Sequence, residues 1–288
     1  MKAKSLNVFF VSNSTCYYFT DALYGMLSGA GYDYANLCLV YSDGCSLEKH
    51  YNWWVNGEAP YSFYITNKDG RNKVAKCSME NALQTYEWDV INFDNNLRSF
   101  TSCDVETSVA NAEPYMKNMY TELKRRYPQA EFLWHETWAC GVGYTLGIPC
   151  ETQEFRDKIQ VTMRGASKSM ESTYGVRIVP TGEAWAMVRD LPIIREPIQG
   201  LGVNEFTLTT RISKDVIYDD YTHDGDIGGG QYLNACVWFE ILTGLDCRVN
   251  SFRPTYSYYG LNCDLSEEKI TILQNAAHRA VQEWKEVS

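Results

Sequence analysis

The sequence has no block of basic residues and no long apolar run. Its 288 residues include 26 Lys and Arg against 36 Asp and Glu, which gives a formal charge of −10. This charge, with no clustered Lys or Arg to offset it, predicts neither a nucleic-acid partner nor binding to an anionic membrane surface. No apolar stretch is long enough to span a bilayer, so no transmembrane helix is expected. A neutral or cationic ligand suits this composition better.

Paired cysteines are also missing. The ten cysteines are scattered, and no two of them form a Cys-x-x-Cys pair. A zinc site is therefore not expected. Cys38 and Cys236 lie among apolar residues and are predicted to be buried free thiols.

The first six residues do not form a recognisable leader peptide. They are basic and run directly into a predicted strand, without an apolar h-region or a cleavage site. The expected location is secreted or periplasmic if a leader has been removed, and cytoplasmic otherwise.

Strand and helix patterns alternate about five times along the chain. This alternation predicts an α/β fold with a parallel sheet covered on both faces. No linker-like or low-complexity segment divides residues 1–288, so one domain is expected. Three additions are predicted: a β-hairpin near 61–77, a long loop near 191–221 with a strand-like piece at 205–212, and a C-terminal helix at 266–284.

Three long helical patterns stand out between these additions. Apolar residues at helical spacing predict helices at 111–127, 153–174 and 231–243. Pro128 closes the first of them. These helices are expected to cover the sheet.

The stretch at residues 8–15 is the first candidate for chemistry. Four apolar, β-prone residues are followed by Ser12, Asn13 and Ser14, which predicts a buried strand that ends in a turn. Open α/β sheets place their functional groups at the carboxyl ends of strands, so a serine here is a candidate nucleophile. The same residues also match a helix cap.

An acidic, glycine-rich block at residues 218–230 is the second candidate. Asp220 and His223 are three residues apart, so the carboxylate is able to hold the Nδ1–H of the imidazole while Nε2 faces a nucleophile. A solvated acidic turn is the plainer interpretation of the same residues.

Two other ligands are conceivable for this block. Its carboxylates offer oxygen ligands for Ca²⁺, although the register of an EF-hand loop is absent; they belong to Asp219, Asp220, Asp224 and Asp226. Residues 228–230 are three glycines before a predicted helix and offer a weak match to a phosphate-binding loop.

The order of these motifs resembles the SGNH (GDSL-type) hydrolases, a superfamily of serine esterases. The chain looks most like a branch common in gut and polysaccharide-degrading bacteria, through Ser-Asn-Ser at 12–14, GCSLEKH at 44–50 and YLNACVWFEILTG at 232–244. The resemblance covers about residues 7–245. It implies a three-layer α/β/α sandwich around a flavodoxin-like, mostly parallel five-stranded sheet.

The resemblance also implies roles for individual residues. Ser14 corresponds to the nucleophile, His223 to the general base and Asp220 to the group that orients the base. The backbone N–H groups of Ser14 and Gly44 correspond to the oxyanion hole, beside Asn13 of the same motif. A serine hydroxyl needs such a base, and the tetrahedral oxyanion needs preorganised donors.

Two positions depart from the family pattern. Ser12 stands where the family has glycine. Asp94 aligns with an oxyanion-donating asparagine at the end of the third strand, but an ionised aspartate cannot donate a hydrogen bond. Either Asn95 or Asn96 takes that role, or the oxyanion hole is weaker. The spacing after His223 is longer than expected, which leaves Asp224 or Asp226 as possible members of the site.

Other residues compete for a place at the same edge. His135 ends the fourth predicted strand and is either a substrate contact or a packed, hydrogen-bonded histidine. Trp53, Trp54 and Trp138 are candidate sugar platforms, although tryptophans at such positions are more often core.

The sequence thus predicts a serine esterase whose substrate is a small-molecule or glycan ester. A Ser14–His223–Asp220 triad needs no metal and no organic cofactor. The content of 21 Tyr and 8 Trp, whose rings stack on sugars, favours a carbohydrate ester. The alternatives are a non-catalytic carbohydrate-binding relative and a calcium-dependent binding protein.

Overall fold

The protein is described here from a computed structural model. The structure describes residues 4–144, 148, 150–198, 200–201, 205–213 and 216–287. The remaining parts of the predicted loop at 191–221, namely residues 199, 202–204, 214 and 215, lie outside the described residues.

The centre of the fold is a sheet whose strands follow the order β4-β3-β2-β1-β5-β6-β7. Its strands are β1 Ser5–Val11, β2 Tyr34–Tyr41, β3 Tyr61–Asn67, β4 Gly70–Cys77, β5 Val90–Phe93, β6 Glu131–Glu136 and β7 Arg177–Pro180. Five neighbouring strands, β2-β1-β5-β6-β7, are parallel. This is the predicted flavodoxin-like order. The predicted hairpin, β3 and β4, extends the β2 edge with antiparallel pairing.

Helices cover both faces of the sheet. They are α1 Thr20–Gly29, α2 Leu47–Val55, α3 Met79–Leu83, α4 Val105–Arg126, α5 Gln153–Tyr174, α6 Thr181–Val188, α7 Gly230–Thr243 and α8 Glu267–Val287. Alternate residues of β1 enter different cores: Val8 and Phe10 pack with residues of α1, α7 and α8, whereas Phe9 and Val11 pack with residues of α3 and α4. The result is the predicted α/β/α sandwich.

Helix α7 is buried along most of its length. Ten of its residues between Tyr232 and Ile241 are buried, and these lie in the motif that carried the resemblance. A helix that is apolar on all sides is typical of a core position. Gly244 ends it with φ +69°, in the left-handed region that favours glycine.

Two sequence-based boundaries were wrong. Helix α4 begins at Val105 rather than at 111, because the Asp104 side chain caps it by accepting from the Thr107 N–H at 2.7 Å. The predicted strand at 205–212 begins only at residue 210. It forms β8, Thr210–Ser213, which pairs with β9, Val216–Asp219. Its earlier apolar residues are buried in the core without pairing.

Near the C-terminus, β10 Ser257–Tyr258 and β11 Leu261–Asn262 form a small hairpin before α8. Within the described residues, no helix combines the length and the hydropathy needed to cross a bilayer.

Candidate active site

The turn after β1 presents the Ser14 hydroxyl at the carboxyl end of the sheet. A 3₁₀ helix spans Ser14–Cys16, and Asn13 caps it by accepting a hydrogen bond from the Thr15 N–H at 3.1 Å. Asn13 therefore fills the cap position that the sequence suggested for this stretch. The Ser14 hydroxyl is left for another partner.

Ser14, His223 and Asp220 form a continuous hydrogen-bonded chain. Ser14 Oγ lies 2.8 Å from His223 Nε2, and His223 Nδ1 lies 2.6 Å from Asp220 Oδ1. With the proton on Nδ1, the imidazole donates to the carboxylate and its Nε2 is able to accept from the serine hydroxyl. The fold thus brings together the three residues that the resemblance singled out.

Asp220 has two further polar partners. The Thr222 hydroxyl donates to Oδ1 at 2.8 Å, and Arg211 donates to Oδ2 at 3.0 Å. Burial by itself raises the pKa of Asp220, but the hydrogen bond and charge of His223, together with Thr222 and Arg211, outweigh it and hold this pKa below its ordinary value. Asp220 is therefore an ionised orienting group at neutral pH.

Arg211 is a site residue that the sequence did not reveal. Its guanidinium lies 3.7 Å from the centre of the Tyr18 ring, besides its ion pair with Asp220. The Tyr18 ring in turn contacts His223 edge to face at 5.2 Å. Arg211 and Tyr18 have no informative spacing from the triad residues, so only the fold connects them.

The predicted oxyanion donors lie beside Ser14. The backbone N–H groups of Ser14 and Gly44 donate to no other group in the described part of the chain. Both residues line a cleft of about 290 Å³ together with His223 and Asn96. Gly44 has φ +55°, and its carbonyl accepts from Asn96 Nδ2 at 2.6 Å. The cleft therefore offers two backbone donors and one side-chain amide.

The other two predicted asparagines differ in position. Asn13 lines the cleft and joins its two loops, because its Nδ2 donates to the Cys45 carbonyl at 3.2 Å. Asn95 is buried, and its Oδ1 accepts from the Leu47 N–H at the start of α2 at 3.2 Å. Asn95 thus holds a loop in place and does not line the cleft.

Asp94 lies beneath the nucleophile turn rather than in the cleft, which corrects its alignment with an oxyanion residue. It is buried, and its Oδ2 accepts from the Ser12 and Thr15 hydroxyls at 2.5 and 2.7 Å. The Cys16 thiol donates to the same oxygen at 3.7 Å. The carboxyl group therefore organises the turn. Ser12 in place of glycine supplies one of these hydrogen bonds.

His135 is also not in the cleft, and the interpretation as a packed histidine holds. It is buried, with Nε2 2.8 Å from the Thr181 hydroxyl and Nδ1 3.4 Å from Cys16 Sγ. Burial lowers the pKa of His135, partly opposed by the hydrogen bond and charge of Asp94.

Cys16, Asp94 and His135 form a cluster whose ligand atoms lie within 4.8 Å of one another. A metal ion binds cysteine as the thiolate. Burial, reinforced by Asp94, raises the pKa of the Cys16 thiol well above its ordinary value, and Asp94 Oδ2 already accepts the two hydroxyls. The donor set therefore fits a hydrogen-bonded network rather than a metal site.

The carboxylates of the acidic block do not converge, which argues against the calcium interpretation. Asp219 accepts from the Tyr221 N–H and two threonine hydroxyls, and Asp226 Oδ1 accepts from the backbone N–H groups of residues 212 and 227. Asp224 is buried below His223. No described cluster of metal-ligand atoms includes any of them.

The three glycines at 228–230 do not form a phosphate cradle either. The Gly228 and Gly229 N–H groups donate to the carbonyls of Thr210 and Asp226 at 3.2 and 3.1 Å. A Cβ on Gly228 would lie 1.7 Å from the Thr207 carbonyl oxygen. These glycines therefore serve close backbone packing.

Two buried tryptophans support the segment that carries His223. Trp138 Nε1 donates to the Thr222 carbonyl at 2.9 Å, and Trp138 stacks on Trp185 with ring centres 4.5 Å apart. Trp185 Nε1 donates to Asn234 Oδ1 at 2.7 Å, and Asn234 Nδ2 donates to Asp224 Oδ2 at 3.1 Å. Trp138 is thus a core residue with a supporting role, not a sugar platform.

Asp224 makes the stability of the protein depend on pH. Burial raises the pKa of Asp224 to about 7, partly opposed by Asn234, His223 and Arg211. Since an aspartate titrates near 3.9 in an unfolded chain, the folded state holds more protons between about pH 4 and pH 7. The contribution of this group to stability is therefore complete below about pH 4 and is lost as the pH rises to about 7.

Asp224→Asn is expected to remove this dependence. We compare the unfolding free energies of wild type and variant at each pH. The value for wild type minus that for the variant should fall by about 4 kcal/mol as the pH rises from about 4 to 7. Urea unfolding at a series of pH values measures the difference. Asp69→Asn, in the exposed turn between β3 and β4, is the control for loss of one carboxylate. A difference independent of pH would contradict the assignment.

The comparison with solved structures places the fold of this chain in one class. The chain has the fold of the SGNH hydrolases. A structure described as a candidate GDSL-like lipase from Parabacteroides merdae aligns over 84% of this chain and 97% of its own, with a TM-score of 0.50 and 12% identity. A mutant of an acetyl-xylooligosaccharide esterase from Geobacillus stearothermophilus aligns over 86% and 98%, with a TM-score of 0.50 and 10% identity.

Within this class, the chain belongs to the family described as domain of unknown function DUF4886, whose model matches residues 23–280. The structure of a DUF4886 family protein from Bacteroides uniformis aligns over 97% of this chain and 95% of its own, with a TM-score of 0.73 and 23% identity. No curated protein matches the sequence.

Proposed function

We propose that this protein is a serine ester hydrolase that removes a short acyl group from a carbohydrate ester. The observation that carries the proposal is the chain from Asp220 through His223 to Ser14, with separations of 2.6 and 2.8 Å. The 2.8 Å contact is a hydrogen bond through which serine is able to pass its proton to the imidazole, and the 2.6 Å contact holds the imidazole in the orientation that this transfer needs.

The reaction follows from these groups. Ser14 Oγ attacks the ester carbonyl carbon while His223 Nε2 takes its proton, and the carbonyl electron pair becomes an oxyanion facing the N–H groups of Ser14 and Gly44. The intermediate collapses, and the alcohol leaves with the proton from His223. Water, deprotonated by His223, then attacks the acyl carbon. The bond between that carbon and Ser14 Oγ breaks, His223 returns the proton to Oγ, and the carboxylic acid is released.

The shape and polarity of the cleft support a short acyl group on a polar alcohol. The cleft is small, about 290 Å³, and its lining mixes Leu97 and Ile148 with polar side chains such as Asp43 and Arg98. Such a site has little room for a long acyl chain and suits a hydroxyl-rich leaving group. The esterase from Geobacillus is named for a substrate of this kind, an acetylated xylooligosaccharide.

The alternative is a carbohydrate-binding relative that does not catalyse. The position of Asp94 favours it, because this carboxyl group is buried beneath the turn and adds no donor to the cleft. Whether Ser14, Gly44 and Asn96 suffice as donors decides between the two functions.

A fluorophosphonate probe tests the proposal directly. We expect wild-type protein to gain one phosphonyl adduct at Ser14, measured by intact mass and peptide mapping, because only an activated serine attacks the probe. Ser14→Ala should gain none, and Ser42→Ala, on the neighbouring loop, should label like wild type. Absence of labelling and of acetyl-ester hydrolysis, with glycan binding retained, would establish the binding function instead.

A further inference from the structure

A second cavity lies on the far side of the segment that carries Asp220. It has a volume of about 270 Å³, and three guanidinium groups line it, those of Arg156, Arg189 and Arg195. We call it the arginine cavity. Asp219 and Tyr221, the neighbours of Asp220 in sequence, form part of its wall, and the Tyr221 carbonyl accepts from the Gly141 N–H.

Two of the three arginines already have carboxylate partners. Arg156 makes a bidentate ion pair with Asp190, in which its Nη1 and Nη2 donate to Oδ1 and Oδ2 at 2.9 and 2.6 Å. Arg195 pairs with Glu205. The charge of each of these two guanidinium groups is therefore balanced by its partner.

Arg189 has no carboxylate within ion-pair distance in the described part of the chain. It donates one hydrogen bond, from an Nη to the Ala139 carbonyl at 2.7 Å, and its guanidinium lies 5.6 Å from the centre of the Trp185 ring. Burial, with a contribution from Arg156, lowers the pKa of Arg189 to about 10. The guanidinium of Arg189 is half-buried and uses one of its five donors among the described residues, so the positive charge that it brings to the cavity is left for an anion to compensate.

The carboxylate of Asp219 does not supply that compensation. Its Oδ1 accepts from the Tyr221 N–H at 3.0 Å and from the Thr209 hydroxyl, and its Oδ2 accepts from the Thr207 hydroxyl at 3.0 Å. Both oxygens are therefore engaged by neutral donors on its own side of the cavity.

We propose that the arginine cavity binds an oxyanion ligand, a carboxylate or a phosphate, through the guanidinium of Arg189. The planar fork of arginine matches both groups, and the pairing of Arg156 and Arg195 with Asp190 and Glu205 keeps these carboxylates from repelling the anion. A cavity of this size holds a small anion or one acidic sugar unit. The site is separate from the Ser14 cleft, so its ligand binds whether or not the protein hydrolyses esters.

Binding of inorganic phosphate and of glucuronate distinguishes the two sources of the anion. Isothermal titration calorimetry and melting temperatures measure the binding of each anion. Both are recorded at constant ionic strength, with chloride as the reference anion. We expect saturable binding of at least one anion and a rising melting temperature, since a ligand of the folded state stabilises it. Arg189→Met should weaken the Kd by about tenfold or more, and Arg189→Lys less, because lysine keeps the charge but not the fork.

Arg98→Met is the matched control, because Arg98 lines the Ser14 cleft instead. It should bind the anion like wild type. Arg195→Met, with a half-exposed side chain, is a second variant that should weaken binding several-fold even if Arg189→Met does not fold. Three results would each overturn the proposal. They are no saturable binding by wild type, binding by the Arg189 variants as tight as that of wild type, and loss of binding in Arg98→Met.

Discussion

Ser14→Ala is expected to lower kcat for a short-chain acetyl ester by about 10⁴-fold or more, because the proposed nucleophile is then absent and only binding and oxyanion contacts remain. His223→Ala is expected to cause a loss of similar size, since the serine hydroxyl then has no base within reach. Because the two residues act as one unit, the double variant should be about as slow as either single variant. Steady-state hydrolysis of an aryl acetate and of acetylated oligosaccharides measures all three.

Ser42→Ala is the control for this series. Ser42 lies on the loop that carries Gly44, and its side chain makes no hydrogen bond in the described structure. The activity of this variant should therefore stay near that of wild type. The melting temperatures of Ser14→Ala and His223→Ala should stay close to that of wild type, which separates loss of chemistry from loss of fold. An active Ser14→Ala variant, or independent multiplicative effects of the two substitutions, would rule out the triad.

Asp94→Ala is expected to be the most damaging single change to the nucleophile turn. It removes the carboxylate that accepts from the Ser12 and Thr15 hydroxyls and from the Cys16 thiol. These buried groups keep only longer contacts, the two hydroxyls with each other and the thiol with His135 Nδ1, both at 3.4 Å. Buried donors that lose their acceptor cost about 1–3 kcal/mol each, with incomplete additivity, so the unfolding free energy should fall by about 3 kcal/mol or more. Urea unfolding with a common m-value checks this.

Asp94→Asn is the matched variant for the same position. The amide keeps one oxygen that is able to accept from both hydroxyls, and its NH₂ replaces Oδ1, a buried atom with no hydrogen-bond partner among the described residues. We expect a loss of only about 1 kcal/mol.

Catalysis provides the second measurement for this pair. Asp94→Ala should lower kcat together with stability, because the position of Ser14 Oγ depends on the turn, whereas Asp94→Asn should keep most of the activity. Equal losses of stability in the two variants would contradict the role of Asp94 as an acceptor. Higher activity in Asp94→Asn than in wild type would instead indicate a direct place for residue 94 in the oxyanion hole.

The regular part of the fold could be predicted because it follows from local pattern. Strand β1 alternates between two cores, α5 begins and ends where the spacing of its apolar residues indicates, and the hairpin β3–β4 follows from a turn between two β-prone segments. The parallel strands then allow few orders, since crossover connections are right-handed and short.

The irregular segments were less predictable. Phe206 and Leu208 are apolar and strand-like, yet they fill the core without pairing, because burial alone selects for the same residues as a strand does. The start of α4 was misplaced because the capping interaction of Asp104 precedes the amphipathic pattern by several residues.

The candidate site was also predictable only in part. Residue types and motif order made Ser14, Gly44, Asp220 and His223 candidates, since the functional groups of an open α/β sheet gather at the carboxyl ends of its strands. The same order misassigned Asp94 and left the role of His135 open. Both residues follow strand ends, but their side chains turn into the core. Alignment specifies where a residue stands along the chain, and the neighbouring layer decides which way its side chain points.

The sequence by itself determined the class of fold, the candidate nucleophile and the candidate base, because periodicity and residue chemistry are local properties. Only the tertiary structure decided what surrounds them: Asp94 beneath the turn that carries Ser14, Arg211 behind Asp220, and Arg189 in a cavity, with no carboxylate partner among the described residues. These relations join groups far apart along the chain. Their energies depend on burial and on distances that exist only after the layers have packed.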